Sequence, residues 1–307
     1  MDEPQLDRRR MLELGAGLLG AATLAACSPP AGRQDGVGGP SEGATGGSGP
    51  VAQPSTSTPA APGTPAPRVV VRTDSFVSRF RPNTDTEWSL AIPVVAGYER
   101  DKMPVALFLH GTGSDNRFLF DNLGIEAVLQ RYLADGGTPF AVASVDGGDT
   151  WWHRRTDGTD TGSMLIDEFV PLLASQGLDL GRFGLFGLSM GGFGVLLLAS
   201  QGKIPGLRAV AAMSPAVFSD YDDSLEDAFD SPEDFAANDV FALRPKLAPL
   251  PKRIDCGTED SLLPYVKDYV AGLPGHVEGG FQPGGHEEAY WRLILPAVLS
   301  FLGRQLA

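Results

Sequence analysis

A serine with glycine two residues away on either side, Gly187-Leu188-Ser189-Met190-Gly191, stands between two apolar runs. Small residues at those two places suit a sharp strand-to-helix turn that holds a nucleophile in a strained backbone, where bulk would clash. Arg182 to Phe186 reads as the buried strand and Gly192 to Ser200 as the apolar helix that begins at the serine. Ser189 then sits at a helix N-terminus, and the Met190 N–H is available to a developing oxyanion. A serine hydroxyl is a weak nucleophile near neutral pH. The chemistry therefore needs a histidine to take its proton and a carboxylate to fix the tautomer of that histidine.

Four histidines compete for the role of base. His286, in Gln282-Pro283-Gly284-Gly285-His286, lies in a Gly-rich loop just before the last helix, after both the serine and the acid candidates. His110 is placed in an oxyanion-type loop, His153 in a Trp-rich loop and His276 in a turn. For the acid, the strand from Arg253 to Cys256 runs into Gly257-Thr258-Glu259-Asp260. Asp260 is a few residues past the strand end and is the first choice, with Glu259 next and Asp255 third. The second oxyanion donor is expected from the backbone of the loop after the strand Met103 to His110, at Thr112 or else Gly113, paired with Met190. Trp151-Trp152-His153 lies in a loop on the same edge and could offer a stacking wall for acyl or sugar groups, or simply close the pocket rim. Asp167-Glu168 reads as a solvated helix face or a cap, and Cys256 as a small buried residue at a strand end. The histidines lack ligand spacing, so no metal and no other cofactor is expected.

The elements that must position these residues alternate from Arg68 onward. Strands are predicted at Arg68 to Phe76, Glu87 to Val95, Met103 to His110, Phe140 to Val145, Arg208 to Met213, Pro251 to Cys256 and Val277 to Phe281. Helices are predicted at Leu119 to Leu133, Gly162 to Ser175, Ser261 to Leu273 and Glu287 to Leu302, with an irregular acidic stretch from Ser219 to Asp239. The first two strands can pair as an antiparallel edge, and the repeated β-then-α units imply an α/β fold, a mostly parallel sheet with helices on both faces. In such a sheet the loops at the carboxyl ends of the strands share one edge and one site.

The 307 residues have a net charge of −14 and no basic cluster beyond the extreme N-terminus, which argues against nucleic acid as a partner. Arg8-Arg9-Arg10-Met11-Leu12 followed by the apolar run from Leu14 to Ala26 reads as a signal peptide over 1–26, of twin-arginine or general secretory type. Leu24-Ala25-Ala26-Cys27 resembles a bacterial lipobox, which makes Cys27 the expected site of lipidation and the protein exported and membrane-anchored on the extracytoplasmic side. Residues 27–67, rich in Pro, Gly, Ser and Thr, read as a flexible tether, leaving 68–307 as the catalytic domain. The chain has two cysteines, and with Cys27 lipidated no disulfide framework is expected.

The order FLHGTG, SVDGG, FGLSMGG, MSPAV, DCGTED and PGGHEEAYW, from about Pro93 to Gln305, resembles the α/β-hydrolase esterases. That group includes esterase D-type S-formylglutathione hydrolases, feruloyl and enterochelin esterases, and mycolyltransferases. The resemblance implies Ser189 as nucleophile, His286 as base and Asp260 as acid, with the N–H groups of Thr112 and Met190 as oxyanion hole. Mycolyltransferases carry glutamate as their acid, which keeps Glu259 open. The HGTG turn departs from that of the formylglutathione hydrolases, and an exported start does not suit their cytosolic pathway, so that activity is set aside. The expected function is hydrolysis of a small-molecule, lipid or sugar ester through an acyl-enzyme on Ser189. The alternatives are acyl transfer to a sugar or glycerol hydroxyl and a catalytically silent surface binding protein.

Overall fold

The apolar runs at 104–109, 141–145, 183–188 and 209–213 become central strands of a single sheet. The computed structural model describes residues 66–98 and 103–307. The signal peptide, Cys27 and nearly all of the tether lie outside the described residues. The strands are β1 (Arg68–Val77), β2 (Asp85–Val94), β3 (Pro104–Leu109), β4 (Ala141–Val145), β5 (Asp179–Leu188), β6 (Leu207–Met213), β7 (Lys252–Gly257) and β8 (Val277–Gln282). They are ordered β1-β2-β4-β3-β5-β6-β7-β8. β2 runs antiparallel to both β1 and β4, and the strands from β4 to β8 are parallel. Every residue of β3 and β4 is buried, as a parallel strand covered on both faces requires.

The helices are α1 (Phe118–Asp121), α2 (Ile125–Ala134), α3 (Thr161–Met164), α4 (Val170–Ser175), α5 (Met190–Gln201), α6 (Pro232–Ala237), α7 (Val240–Leu243), α8 (Leu263–Ala271) and α9 (Glu288–Leu306). On one face of the sheet Leu129 and Leu133 of α2 and Leu295, Leu299 and Leu302 of α9 pack onto Phe108, Val142 and Phe186. On the other, Phe169 packs against Trp88 of β2 and Phe76 of β1. Residues 190–200 of α5 are all buried, which explains why that helix is apolar all round. The fold is therefore the α/β class expected, with helices on both faces. Among the described residues no helix is long and apolar enough to cross a membrane.

Two predicted helices are interrupted, each for a local reason. The run from Leu119 to Leu133 breaks at Gly124, which adopts a left-handed φ of 67°. The run from Gly162 to Ser175 passes through a π-helical turn, Leu165–Phe169, where the Val170 N–H reaches back to Leu165 O. Pro171 has no N–H to give Asp167, and the widened turn absorbs that loss. The rings of Phe108 and Phe186 pack at a tilt, 5.1 Å between centres, in the middle of the sheet, and both are fully buried. Replacing Phe108 with alanine is expected to cost about 3–5 kcal/mol. Urea unfolding of the variant beside the unaltered protein measures it, as a lower midpoint with unchanged slope.

Candidate active site

The carboxyl ends of β3 to β8 meet at one edge, and β5 delivers Ser189 to its centre. Ser189 sits between β5 and α5 with φ 52° and ψ −121°, a conformation that costs a side-chain-bearing residue on the order of 1–3 kcal/mol. Its own peptide groups hold it there: Ser189 N–H donates to Met213 O at 3.0 Å, and Ser189 O accepts from Ala216 N–H at 3.0 Å. The turn closes against β3. A Cβ on Gly187 would meet Leu109 O at 2.7 Å, and one on Gly191 would run into Leu109 O as well. Any larger residue at either place would push the elbow off the sheet.

Asp260 and His286, the candidate acid and base, arrive on neighbouring loops that are laced by their backbones. Thr258 N–H donates to Gln282 O and Glu259 N–H to Gly284 O, both at 2.9 Å. A Cβ on Gly257 would collide with Gly284 O, so the acid loop can lie this close only with glycine there. His286 Nε2 lies 2.9 Å from Ser189 Oγ and His286 Nδ1 lies 3.0 Å from Asp260 Oδ2. With the carboxylate as acceptor, Nδ1 carries the proton, which leaves Nε2 facing the serine hydroxyl. Asp260 Oδ1 accepts from the Leu262 N–H at 2.9 Å. Burial alone would push the Asp260 carboxyl up. The His286 hydrogen bond and charge, the Leu262 N–H and the Ser214 hydroxyl outweigh burial and hold it below the usual carboxylate range.

The three acid candidates separate cleanly in the structure. Asp260 has a fully buried side chain and bonds His286. Glu259 is exposed, and Asp255 is taken by a two-pronged ion pair with Arg253 at 2.7 and 2.8 Å. The two oxyanion candidates separate as well. The Gly113 N–H donates to Asp149 Oδ1 at 2.7 Å, whereas the Thr112 N–H has no partner among the described residues. Met190 is the first residue of α5, so its N–H has no acceptor within the helix. Trp291 packs edge-on against His286, 5.0 Å between ring centres, and its indole N–H donates to Ser214 Oγ at 3.2 Å.

The Trp151-Trp152-His153 wall is a correction. These residues are only 2%, 0% and 3% exposed, and both tryptophans have left-handed backbones, φ 58° and 59°. Trp151 and His153 pack against Phe193 of α5 and against Phe229, and Trp152 lies on the backbones of Gly147 and Gly194. They form a layer behind the elbow and present no surface to a substrate. Phe229 comes from the acidic excursion, which is bolted down further by Asp230, whose carboxylate accepts from Arg155 and from the Thr156 N–H, each at 2.7 Å. The irregular acidic stretch from Ser219 to Asp239 is thus packed onto this layer through Phe229 and Asp230. Glu168 is not simply solvated, since it accepts from Ser78 Oγ at 2.5 Å. Cys256 is a buried free thiol whose pKa is pushed up by burial and by the Asp260 charge. Among the described residues no group of three or more His, Cys, Asp or Glu side chains could hold a metal ion.

Residues 81–302 match the Esterase family model, described as "Putative esterase". No curated protein sequence matches. Among solved structures, a ferulic acid esterase superposes with a TM-score of 0.65 at 22% identity, covering 77% of this chain and 98% of its own. The fluorophosphonate-binding serine hydrolase F of Staphylococcus aureus gives 0.63 at 18% identity, over 77% of this chain and 99% of its own. An S-formylglutathione hydrolase from Agrobacterium tumefaciens gives 0.65 at 17% identity, over 77% and 95%. At these identities the likeness is one of fold.

A carboxyl held below its ordinary range stabilises the folded state at pH values above that of the free side chain, and the contribution fades as pH falls through the folded value. Asp260→Asn is expected to melt at a lower temperature than the unaltered protein at neutral pH, with the gap narrowing on acidification below the ordinary carboxylate range. Thermal melts of both proteins across the acid range check this, and a gap that widened would contradict it.

Proposed function

The chain belongs to the esterase family, and on that premise we propose that it is a serine hydrolase that cleaves a carboxylic ester through an acyl-enzyme on Ser189. The observation that carries this reading is the unbroken line from Ser189 Oγ through His286 to Asp260, at 2.9 and 3.0 Å, on a serine whose backbone is strained into exposing its hydroxyl. Ser189 Oγ attacks the ester carbonyl as its proton passes to His286 Nε2. Asp260 keeps the imidazole in the tautomer that can take that proton, and steadies the imidazolium that forms. The carbonyl oxygen, now negative, is met by the N–H groups of Thr112 and Met190. His286 then returns the proton to the departing alkoxide oxygen, and the alcohol leaves. A water molecule repeats the sequence on the acyl-enzyme, giving up its proton to His286, and releases the acid and the free serine. A buried carboxylate beside the base favours the protonated imidazole in the transition state, where the charge develops.

The N-terminal features extend the proposal to where the reaction takes place. Arg8 to Ala26 acts as an export signal, and Cys27 receives acyl chains that hold the protein at the outer side of the cytoplasmic membrane. The run from Ser28 to Pro67 gives the catalytic domain reach from that surface.

Hydrolysis of short and medium p-nitrophenyl esters is the direct test. Ser189→Ala and His286→Ala are each expected to lower kcat by at least about 10⁴-fold. A fluorophosphonate is expected to label Ser189 alone, as read by mass spectrometry, and trehalose or glycerol added to the assay reports whether a sugar or polyol replaces water as acceptor. A folded protein with neither turnover nor label would favour a binding role instead. In a bacterial host fed a labelled fatty acid, the label is expected on the unaltered chain and absent from Cys27→Ala.

A further inference from the structure

One histidine in the site is outside the proton path, yet it is completely buried beside it. His110 follows β3, and its Nε2 lies 2.9 Å from the Gly147 backbone N–H. A backbone N–H can only donate, so Nε2 is the acceptor and the neutral ring carries its proton on Nδ1. His110 Nδ1 lies 2.8 Å from Gly111 O and donates to it. The carbonyl of Gly111 and the N–H of Thr112 belong to one planar, trans peptide group and point in opposite directions. Fixing the oxygen therefore aims the N–H.

The peptides before and after it are fixed too. The Trp152 indole N–H donates to His110 O at 3.3 Å, and the Gly113 N–H is held by Asp149 Oδ1 at 2.7 Å. The His110 and Trp152 rings meet edge to face, 5.2 Å apart. Three consecutive peptide groups are thus clamped by side chains, two through their carbonyl oxygens and one through its N–H, and the peptide that His110 holds leaves the Thr112 N–H without an acceptor among the described residues. The clamped strip lies against the nucleophile, because a Cβ on Gly111 would stand 3.3 Å from Ser189 Cβ and 2.9 Å from Leu188 Cδ1. The charged groups nearest the ring are Asp146, whose Oδ1 is 3.6 Å from Nε2, and Arg81, which pairs with the other oxygen of Asp146 at 3.1 Å.

We infer that His110 is a positioning residue for the oxyanion hole: as a neutral, Nδ1-protonated imidazole it holds the Gly111 carbonyl and so aims the Thr112 N–H at the oxygen of the tetrahedral intermediate. The inference rests on the reading of Ser189 as nucleophile, and it adds a task that the triad does not perform. It also accounts for the buried Trp152, which supports the same strip from behind.

The test has one arm that needs no turnover. In protein with ¹⁵N-labelled histidine, NMR is expected to find Nδ1 protonated and Nε2 bare at His110; the opposite tautomer overturns the inference whatever the activity. The second arm compares His110→Ala with His110→Asn, whose amide nitrogen can replace the Nδ1 donor. For His110→Ala, kcat is expected to fall roughly tenfold to a hundredfold with KM within about twofold, short of the full loss of an oxyanion donor. The affinity for a trifluoromethyl ketone, which forms a tetrahedral adduct with an oxyanion, is expected to fall by the same factor. His110→Asn is expected to regain most of both. Equal losses in the two variants, or a fall in kcat with ketone affinity intact, would overturn the inference. Failure of the unaltered protein to turn over esters or take up a fluorophosphonate would count against the esterase reading, and the tautomer would still decide the role of His110.

Discussion

The arrangement depends on a backbone that would not adopt its shape unaided. Ser189 has a left-handed φ, and the energy that keeps it there comes from its surroundings. The helix it opens is buried through residues 190–200, and its peptide groups are tied to Met213 and Ala216. The fit against Leu109 O leaves no space for a side chain at Gly187 or Gly191. Relaxing the turn would require lifting α5 out of the core. The strain is thus paid for by burial far larger than itself, and the hydroxyl is left standing clear of both the strand and the helix.

Much of this was legible in the chain, for reasons that can be stated. The elbow was legible because its demands are local: glycine at 187 and 191, an apolar strand before and an apolar helix after. His286 could be singled out because it lies in a Gly-rich loop just before the last helix, after both the serine and the acid candidates in the chain. The choice among Asp260, Glu259 and Asp255 was harder, since all three lie on or just past one strand. It turns on the backbone lacing of Thr258 and Glu259 to Gln282 and Gly284 and on the arginine that captures Asp255, neither of which has a sequence signature.

Trp151-Trp152-His153 misled for a different reason. Aromatic residues in a loop on the active edge look like a binding wall when nothing else is known. Their direction is set by two consecutive left-handed residues, which turn the side chains inward. Their partner Phe229 is some 75 residues further along, in the irregular acidic stretch, which carries no sequence signal that it packs against this loop. His110 was legible as a residue of the loop after β3, but the positioning role proposed for it depends on which ring nitrogen faces Gly147, a fact of three-dimensional placement alone.

The strand order divides the labour of the site. β5 carries Ser189, the proposed nucleophile, at the centre of the sheet, β7 and β8 on one side bring Asp260 and His286, and β3 and β4 on the other bring the proposed oxyanion strip with His110, Asp149 and Trp152 behind it. The two sides touch the reaction at different moments. In the proposed mechanism the proton moves between Ser189 and His286, with Asp260 holding the ring, while charge on the carbonyl oxygen is met by Thr112 and Met190. Each side is fixed by its own bonds: Thr258 to Gln282 and Glu259 to Gly284 on one, Gly147 to His110 and Gly113 to Asp149 on the other. Only the elbow belongs to both. A distortion on one side therefore reaches the other through the end of β5 and through α5, which are buried over 183–188 and 190–200, so the rigidity of that pair keeps the two sides of the site in register.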